Sequence, residues 1–413
     1  MSNKKGKKEA GSFYRFIITL GIGTSFSILG DSTIYAVLPL HLEAAGITLA
    51  GAGILMGINR LVRLLSNTVS GYLFDFGNKR ILFIFSLLTG AFSTLMCAIF
   101  TGFWPLFIAR ILWGVAYSGV SIGGTSILLA VTDSKTRGRW IGIQLVWLLA
   151  GSATGAILGG VLSDIIGFRS AMAVNGILSL SSIIAVYFLL TDIKGADAVR
   201  PTFRDIRNEY REKFDCRLYL AAAVLALSRF TFSGFVVALL SVIIREKVSL
   251  WITFIGVSTL SGILSSSKTA VSMIAAPAAG FLSDRLKNRW TTVIISLLCG
   301  SAGLLMITVN EPVITIAGIL VCAIPGSSIM VLTRVLAGDL AGGKSTGRAI
   351  GFVHTAGDIG SAIGPPLAFF LLPIAGLNNI FGTLALLLAA SAGAVYLADK
   401  YWKQDASRIC AVD

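Results

Sequence analysis

The chain is 413 residues long, 55% hydrophobic and only 13% charged. A water-soluble protein of that length needs more polar surface, so the solvent for most of the chain is expected to be lipid. The net charge of +14 raises the possibility of a nucleic-acid partner, which the placement of the basic residues then excludes.

In chain order, a basic start, Met1–Lys8, leads into the apolar run Phe16–Leu42. No cleavage pattern follows it and it is too long for a signal sequence, so it reads as a cytoplasmic tail and a first span. Apolar runs then recur, each long enough to cross a hydrocarbon core of about 30 Å. They predict spans over roughly 14–42, 48–74, 80–100, 103–130, 140–163 and 170–190, then 217–244, 250–282, 290–309, 312–337, 347–373 and 377–398. With the N-terminus inside, the external loops hold only Arg169, Arg245 and Lys247, and most other Lys and Arg fall on the opposite side. That asymmetry is the positive-inside bias. It predicts a multi-pass protein of the inner or plasma membrane with both termini cytoplasmic, the bilayer as partner and no nucleic acid.

The most polar internal segment, 191–216, separates two apolar halves, 1–190 and 217–413. It reads either as a surface-lying amphipathic helix or as a solvated cytoplasmic linker. The halves repeat each other at one constant offset. Gly71-Tyr-Leu-Phe-Asp75 returns as Gly280-Phe-Leu-Ser-Asp284, and Arg80 matches Arg289. Thr136-Arg-Gly-Arg139-Trp-Ile-Gly142 returns as Ser345-Thr-Gly-Arg348-Ala-Ile-Gly351, and Gly151-Ser-Ala-Thr-Gly155 as Gly360-Ser-Ala-Ile-Gly364. Six spans followed by six in the same orientation predict an all-α membrane protein of about twelve helices in two pseudo-symmetric six-helix bundles.

These motifs resemble the major facilitator superfamily, and the likeness covers essentially the whole chain. Gly71-Tyr-Leu-Phe-Asp75-Phe-Gly77-Asn-Lys79-Arg80 is similar to the family's loop 2–3 motif, with Phe76 where a basic residue is usual. The copy Gly280–Asp284-Arg285-Leu-Lys287 carries that basic residue and lacks the later Gly. Arg110-Ile-Leu-Trp-Gly114 resembles the span-4 motif. Gly151–Gly160 resembles the span-5 motif of the drug:proton antiporter branch, with Ala156 in place of its Pro. The resemblance implies the major facilitator fold and alternating access. It also implies a cytoplasmic latch built from Gly71, Asp75, Arg80, Arg139, Gly280, Asp284, Arg285 and Arg348. Read physically, Gly71 and Gly280 would let helices approach closely, and the two aspartates would pair with Arg137, Arg139 or Arg348. The same charges could equally just anchor loops in the correct leaflet.

A charge inside a span costs about 2.5–3.5 kcal/mol on insertion scales, so each needs a partner or a water-filled cavity. Asp31 is the first proton-coupling candidate, lying about 25 Å along its helix at 1.5 Å per residue. The alternative is a fixed ion pair with Arg60 or Arg63. His354 and Asp358, four apart, share one face of span 11 and form a second proton-coupling candidate. Candidate substrate ligands are Asn59, Arg60, Arg63, Arg110, Arg229 and Lys268, with Trp113 and Trp147 as aromatic lining; the repeat offset carries Asn59 onto Lys268. Arg334, near a span end, is explained by snorkelling. Five buried cations against two carboxylates suggest an anionic or zwitterionic substrate, unless Arg110 and one other are structural.

Five scattered cysteines without CxxC spacing and two distant histidines predict no disulfide, metal or cofactor site. No phosphate-binding loop or nucleophile elbow suggests an enzyme. The sequence thus reads as a monomeric secondary transporter coupled to protons, exporting an amphipathic or acidic small molecule. The alternatives are a proton symporter importing an organic anion, and a lipid-translocating or non-transporting receptor protein.

Overall fold

The structure, a computed structural model, describes residues 2–132, 136–190, 215–286, 288–341 and 346–409. Among these, every regular element is helical. The first six-helix bundle holds α1 (Ser2–Ser27, continued by Leu29–Val37), α2 (Leu49–Phe76), α3 (Lys79–Ile99), α4 (Phe103–Val131), α5 (Arg137–Ile166) and α6 (Phe168–Leu189). The second holds α7 (Cys216–Val248), α8 (Val257–Leu286), α9 (Arg289–Thr308), α10 (Pro312–Leu340), α11 (346–375) and α12 (377–409). Segment 191–216, read as the linker, lies outside the described residues up to 214.

Local chemistry sets the helix boundaries. Thr48 accepts a hydrogen bond from the Gly51 N–H at 3.1 Å and starts α2, and Asn78 accepts from Ile81 N–H at 3.2 Å and starts α3. Such side-chain caps satisfy the orphan donors of the first turn. At Gly376 the backbone turns to φ 71°, a conformation any Cβ would oppose, and there one long helical run becomes α11 and α12. Helix α8 begins at Val257, seven residues after the expected start of its span, because 249–255 is occupied by turns and bends. Asp164 of α5 caps that start, accepting from Ser258 N–H at 3.3 Å and Thr259 N–H at 2.7 Å.

Large apolar side chains such as Leu65, Phe85, Phe188, Ile274 and Phe281 are exposed on the outer faces, as lipid requires. Inside the first unit, Phe16, Leu20, Phe83, Leu87, Val120 and Val186 pack into one apolar cluster. The chain divides into two compact units: Met1–Arg207 with Ile255–Ser266, and Asn208–Phe254 with Ser267–Asp413. The first turns of α8 therefore group with the first bundle.

Candidate functional site

The glycines of α5 let it lie directly against α1. A Cβ on Gly155 would sit 2.7 Å from the Leu29 Cα, and one on Gly159 would sit 2.0 Å from Thr33 Oγ1. Thr33 Oγ1 donates to the Gly155 carbonyl at 2.8 Å and accepts from Asn175 of α6 at 2.9 Å, tying the three helices together. Gly160 and Ala156 face the first turns of α8, where Ser266 Oγ donates to the Ala153 carbonyl at 2.6 Å. The second unit repeats the device with α11 on α7. A Cβ on Gly360 would meet the Ala226 carbonyl at 2.2 Å, and one on Gly364 would meet the Gly234 Cα at 2.4 Å. Close contacts between small residues are how helices gain dispersion energy without a hydrophobic driving force.

That packing places Asp31 opposite α4. Arg110 Nη1 donates to Asp31 Oδ1 at 2.7 Å and Arg110 Nε donates to the Leu55 carbonyl at 3.0 Å. Arg110 is only 2% exposed. The partner of Asp31 is thus neither Arg60 nor Arg63. Those two lie on α2, where their guanidiniums cover the rings of Tyr35 at 4.8 Å and Tyr117 at 3.9 Å. Asn59 completes the first cluster: its Nδ2 donates to Asp31 at 3.3 Å, and its Oδ1 lies 2.9 Å from Tyr35 Oη. Tyr35 Oη donates to the Met56 carbonyl at 2.6 Å, and its ring also faces Arg110 at 5.4 Å. The arrangement is one carboxylate held by a charge-assisted bond and an amide, walled by an aromatic ring.

The second unit gathers its own charges. Arg229 Nη2 lies 3.7 Å from Asp358 Oδ1, and His354 Nδ1 lies 3.9 Å from Asp358 Oδ2. Arg334 Nη2 bonds His354 Nε2, so the snorkelling explanation of Arg334 is replaced by a partner on α11. A guanidinium can only donate, which makes Nε2 the acceptor and assigns the ring proton to Nδ1, facing Asp358. Arg229 opens a π-helical stretch of α7, Arg229–Val236, a local widening frequent at functional sites. Lys268 of α8 is within electrostatic reach of Cys322 on α10. Both tryptophans serve packing: Trp113 is 2% exposed beside Gly90, and the ring of Trp147 fills the space over Gly21.

The motif residues at the helix ends are distributed differently from expectation. A methyl added to Gly71 or Gly280 would meet nothing within 4 Å, so neither glycine serves a close helix approach here. Asp75 is exposed and makes no ion pair with a described residue. Asp284 pairs with Arg289 at 3.4 Å, and Arg289 also bonds Asp339 of α10. Arg80 donates to the Tyr187 carbonyl and covers its ring, Arg139 lies 5.6 Å from the Trp140 ring, Arg285 is exposed, and Arg348 is half-buried. Gly138, Lys287, Ser345, Thr346 and Gly347, parts of these motifs, lie outside the side chains described.

Sequence reasoning missed Asn67 as part of the polar core, to which Tyr35 and Tyr117 also belong, and His41 with Asp164 at the start of α8. His41 Nε2 lies 3.0 Å from Ser258 Oγ, and its ring stacks on Phe168 at 5.8 Å. Burial holds its pKa below the ordinary 6.5, with Asp164 partly opposing the shift. Asp164 stands near the end of α5, and nothing in the sequence pointed it at α8.

The Major Facilitator Superfamily family model matches residues 20–268 and 218–407. An uncharacterized MFS-type transporter of Methanocaldococcus jannaschii is 23% identical, covering 90% of this chain and 95% of its own. Multidrug resistance protein MdtG of Enterobacter lignolyticus is 24% identical, covering 90% and 89%. Among solved structures, a bacterial homolog of the human lysosomal transporter Spinster superposes with a TM-score of 0.77 at 13% identity, covering 95% of this chain and 98% of that one. Two six-helix bundles and a family match over nearly the whole length agree: the chain belongs to the Major Facilitator Superfamily.

Proposed function

We propose that the chain is a proton-coupled exporter of an amphipathic or acidic small molecule, working by alternating access with both termini in the cytoplasm. The observation that carries this reading is the Asp31–Arg110 pair, a carboxylate inside a span whose counter-ion sits on another helix. Proton uptake by Asp31 would leave Arg110 a buried cation without its charge partner, at a cost of about 3–5 kcal/mol. The protonated unit must therefore rearrange or take up a new anion, and either response couples the proton to a conformational step. The similarity to multidrug resistance proteins named MdtG supports export. Asp358 with His354 is proposed as a second titrating group, and Asp284, Arg289 and Asp339 as the latch of the second unit. Lys268 and Arg60 are proposed as further cations of the substrate path.

The test is purified protein in proteoliposomes under an imposed pH gradient, screened with acidic and cationic solutes, beside Asp31→Asn. Gradient-driven movement that Asp31→Asn abolishes supports the reading, whereas full activity in that variant removes Asp31 as carrier. An organic anion moving with the proton rather than against it would establish the symporter instead. Silence from folded protein across the panel would favour a receptor or a lipid-translocating protein.

A further inference from the structure

The buried charges of the first unit do not close as a set of pairs. Arg110 is matched by Asp31 at 2.7 Å. Arg63, one of the two arginines of α2, makes no ion pair and no side-chain hydrogen bond with any described residue, and its Nε is fully buried. The ring of Tyr117 on α4 lies 3.9 Å from its guanidinium carbon. A ring face stabilises a cation by about 0.5–2 kcal/mol. Holding an arginine near the centre of a span costs about 2.5–3.5 kcal/mol on the gentlest scale. The ring offsets only part of that cost, so an anion or water must supply the rest.

A guanidinium whose carbon lies over a ring can rest its face there and keep its planar N–H edge to donate, the geometry that matches a carboxylate bidentately. Asn67 is four residues further along α2 and so lies on the same face. Its Oδ1 accepts from Ser118 Oγ at 2.7 Å, and Ser118 is within 2.7 Å of Ser66 Oγ. With its oxygen so engaged, the Asn67 amide keeps its N–H donors for another acceptor. Tyr117 also meets Trp113 edge-on at 6.4 Å, and both join Ile28, Ala116 and Leu148 in an apolar cluster. A donor edge is thus set beside an aromatic wall.

Building on the transport reading above, we propose that Arg63, oriented by Tyr117 and assisted by Asn67, is the recognition point for a carboxylate carried on an apolar, ring-containing body. The transported solutes are then amphipathic monocarboxylates, and Arg63 separates them from neutral and cationic analogues. While Asp31 is charged it holds Arg110 at 2.7 Å, which leaves Arg63 as the recognition point.

The experiment is binding to the purified full-length protein of three matched probes: 1-naphthylacetate, its uncharged amide, and the cation ethidium. Arg63→Gln should weaken naphthylacetate about tenfold or more, as loss of a charged fork implies. Arg63→Lys, which keeps the charge and loses the fork, should recover only part of that affinity. Tyr117→Phe should leave all three probes unchanged, and Tyr117→Leu should weaken naphthylacetate alone. Size-exclusion and circular dichroism identify any variant that misfolds, in which case Arg63→Lys decides. Wild-type affinity for naphthylacetate in Arg63→Lys and Arg63→Gln, or equal affinity of the wild type for acid and amide, overturns the proposal. Ethidium movement under a pH gradient without carboxylate binding would overturn it and leave the transport reading standing. Arg63-dependent binding with no solute moved would uphold it while removing that reading.

Discussion

The two units solve the same problem, a carboxylate inside a helix bundle, in different ways. In the first, Asp31 and Arg110 touch at 2.7 Å, and the arginine also binds a backbone carbonyl. In the second, Asp358 and Arg229 stand 3.7 Å apart, with His354 at 3.9 Å from the second carboxylate oxygen. Arg229 is also more exposed than Arg110, 22% against 2%. Separating a contact pair in low dielectric demands a large rearrangement, whereas a group held at longer distances and containing a histidine adjusts with a smaller one. Repetition in sequence has therefore preserved the helix framework and not the charge chemistry within it.

The largest effect should come from breaking the tight pair on one side only. Arg110→Ala leaves Asp31 buried without its cation and is expected to destabilise the first unit by about 3–5 kcal/mol. Asp358→Asn, at the looser pair, should destabilise by clearly less. Thermal unfolding of the two variants in the same detergent measures the contrast. Equal losses would show that distance and exposure do not distinguish the pairs.

The sequence made the framework of this comparison legible and hid its contacts. Twelve apolar runs and a constant repeat offset are one-dimensional signals, so spans and halves could be read directly. The partner of Asp31 could not, because it lies 79 residues away and is chosen by how α1 meets α4. Adjacent-span reasoning pointed to Arg60 and Arg63, which instead lie on tyrosine rings. Arg334 misled for the opposite reason: a basic residue near a helix end has a cheap explanation in snorkelling, and its contact with His354 depends on the facing of α10 and α11. The stripe of glycines on α5, legible in the sequence as a motif, is a packing surface against α1. Gly71 and Gly280 had the same sequence appearance and face open space.

Those two kinds of glycine give the next contrast. Gly159→Ala drives a methyl to within 2.0 Å of Thr33 Oγ1, and overpacking of this kind costs about 1–3 kcal/mol. Gly364→Ala should behave alike in the second unit, where the nearest atom is a backbone Cα at 2.4 Å. Gly71→Ala meets no atom and removes a flexible residue from a helix interior, so it should be neutral or stabilising by up to about 1 kcal/mol. Unfolding temperatures of the three variants check the order. Slower transport by a fully stable Gly71→Ala protein would place the close approach of that motif in another conformation of the cycle, as a latch requires.

The smallest expected effect concerns the start of α8, where His41 and Asp164 of the first unit meet Ser258 and Thr259. Among the described residues Asp164 from α5 is the neighbouring carboxylate, and Arg169 of α6 is turned to the carbonyls of Ala98 and Ile99. Burial depresses the pKa of His41 in the folded chain below 6.5, while the unfolded or opened chain keeps the ordinary value. Below pH 6.5 the opened form therefore binds more protons than the folded one, and stability falls as acid is added. Above that pH both forms are neutral at His41 and the contribution vanishes. Unfolding temperature should thus drop between neutral and mildly acidic pH, and His41→Asn, which keeps a polar partner for Ser258 without titrating, should flatten the drop. A steeper acid loss in His41→Asn would mean that attraction to Asp164 outweighs desolvation, which would reverse the sign argued here.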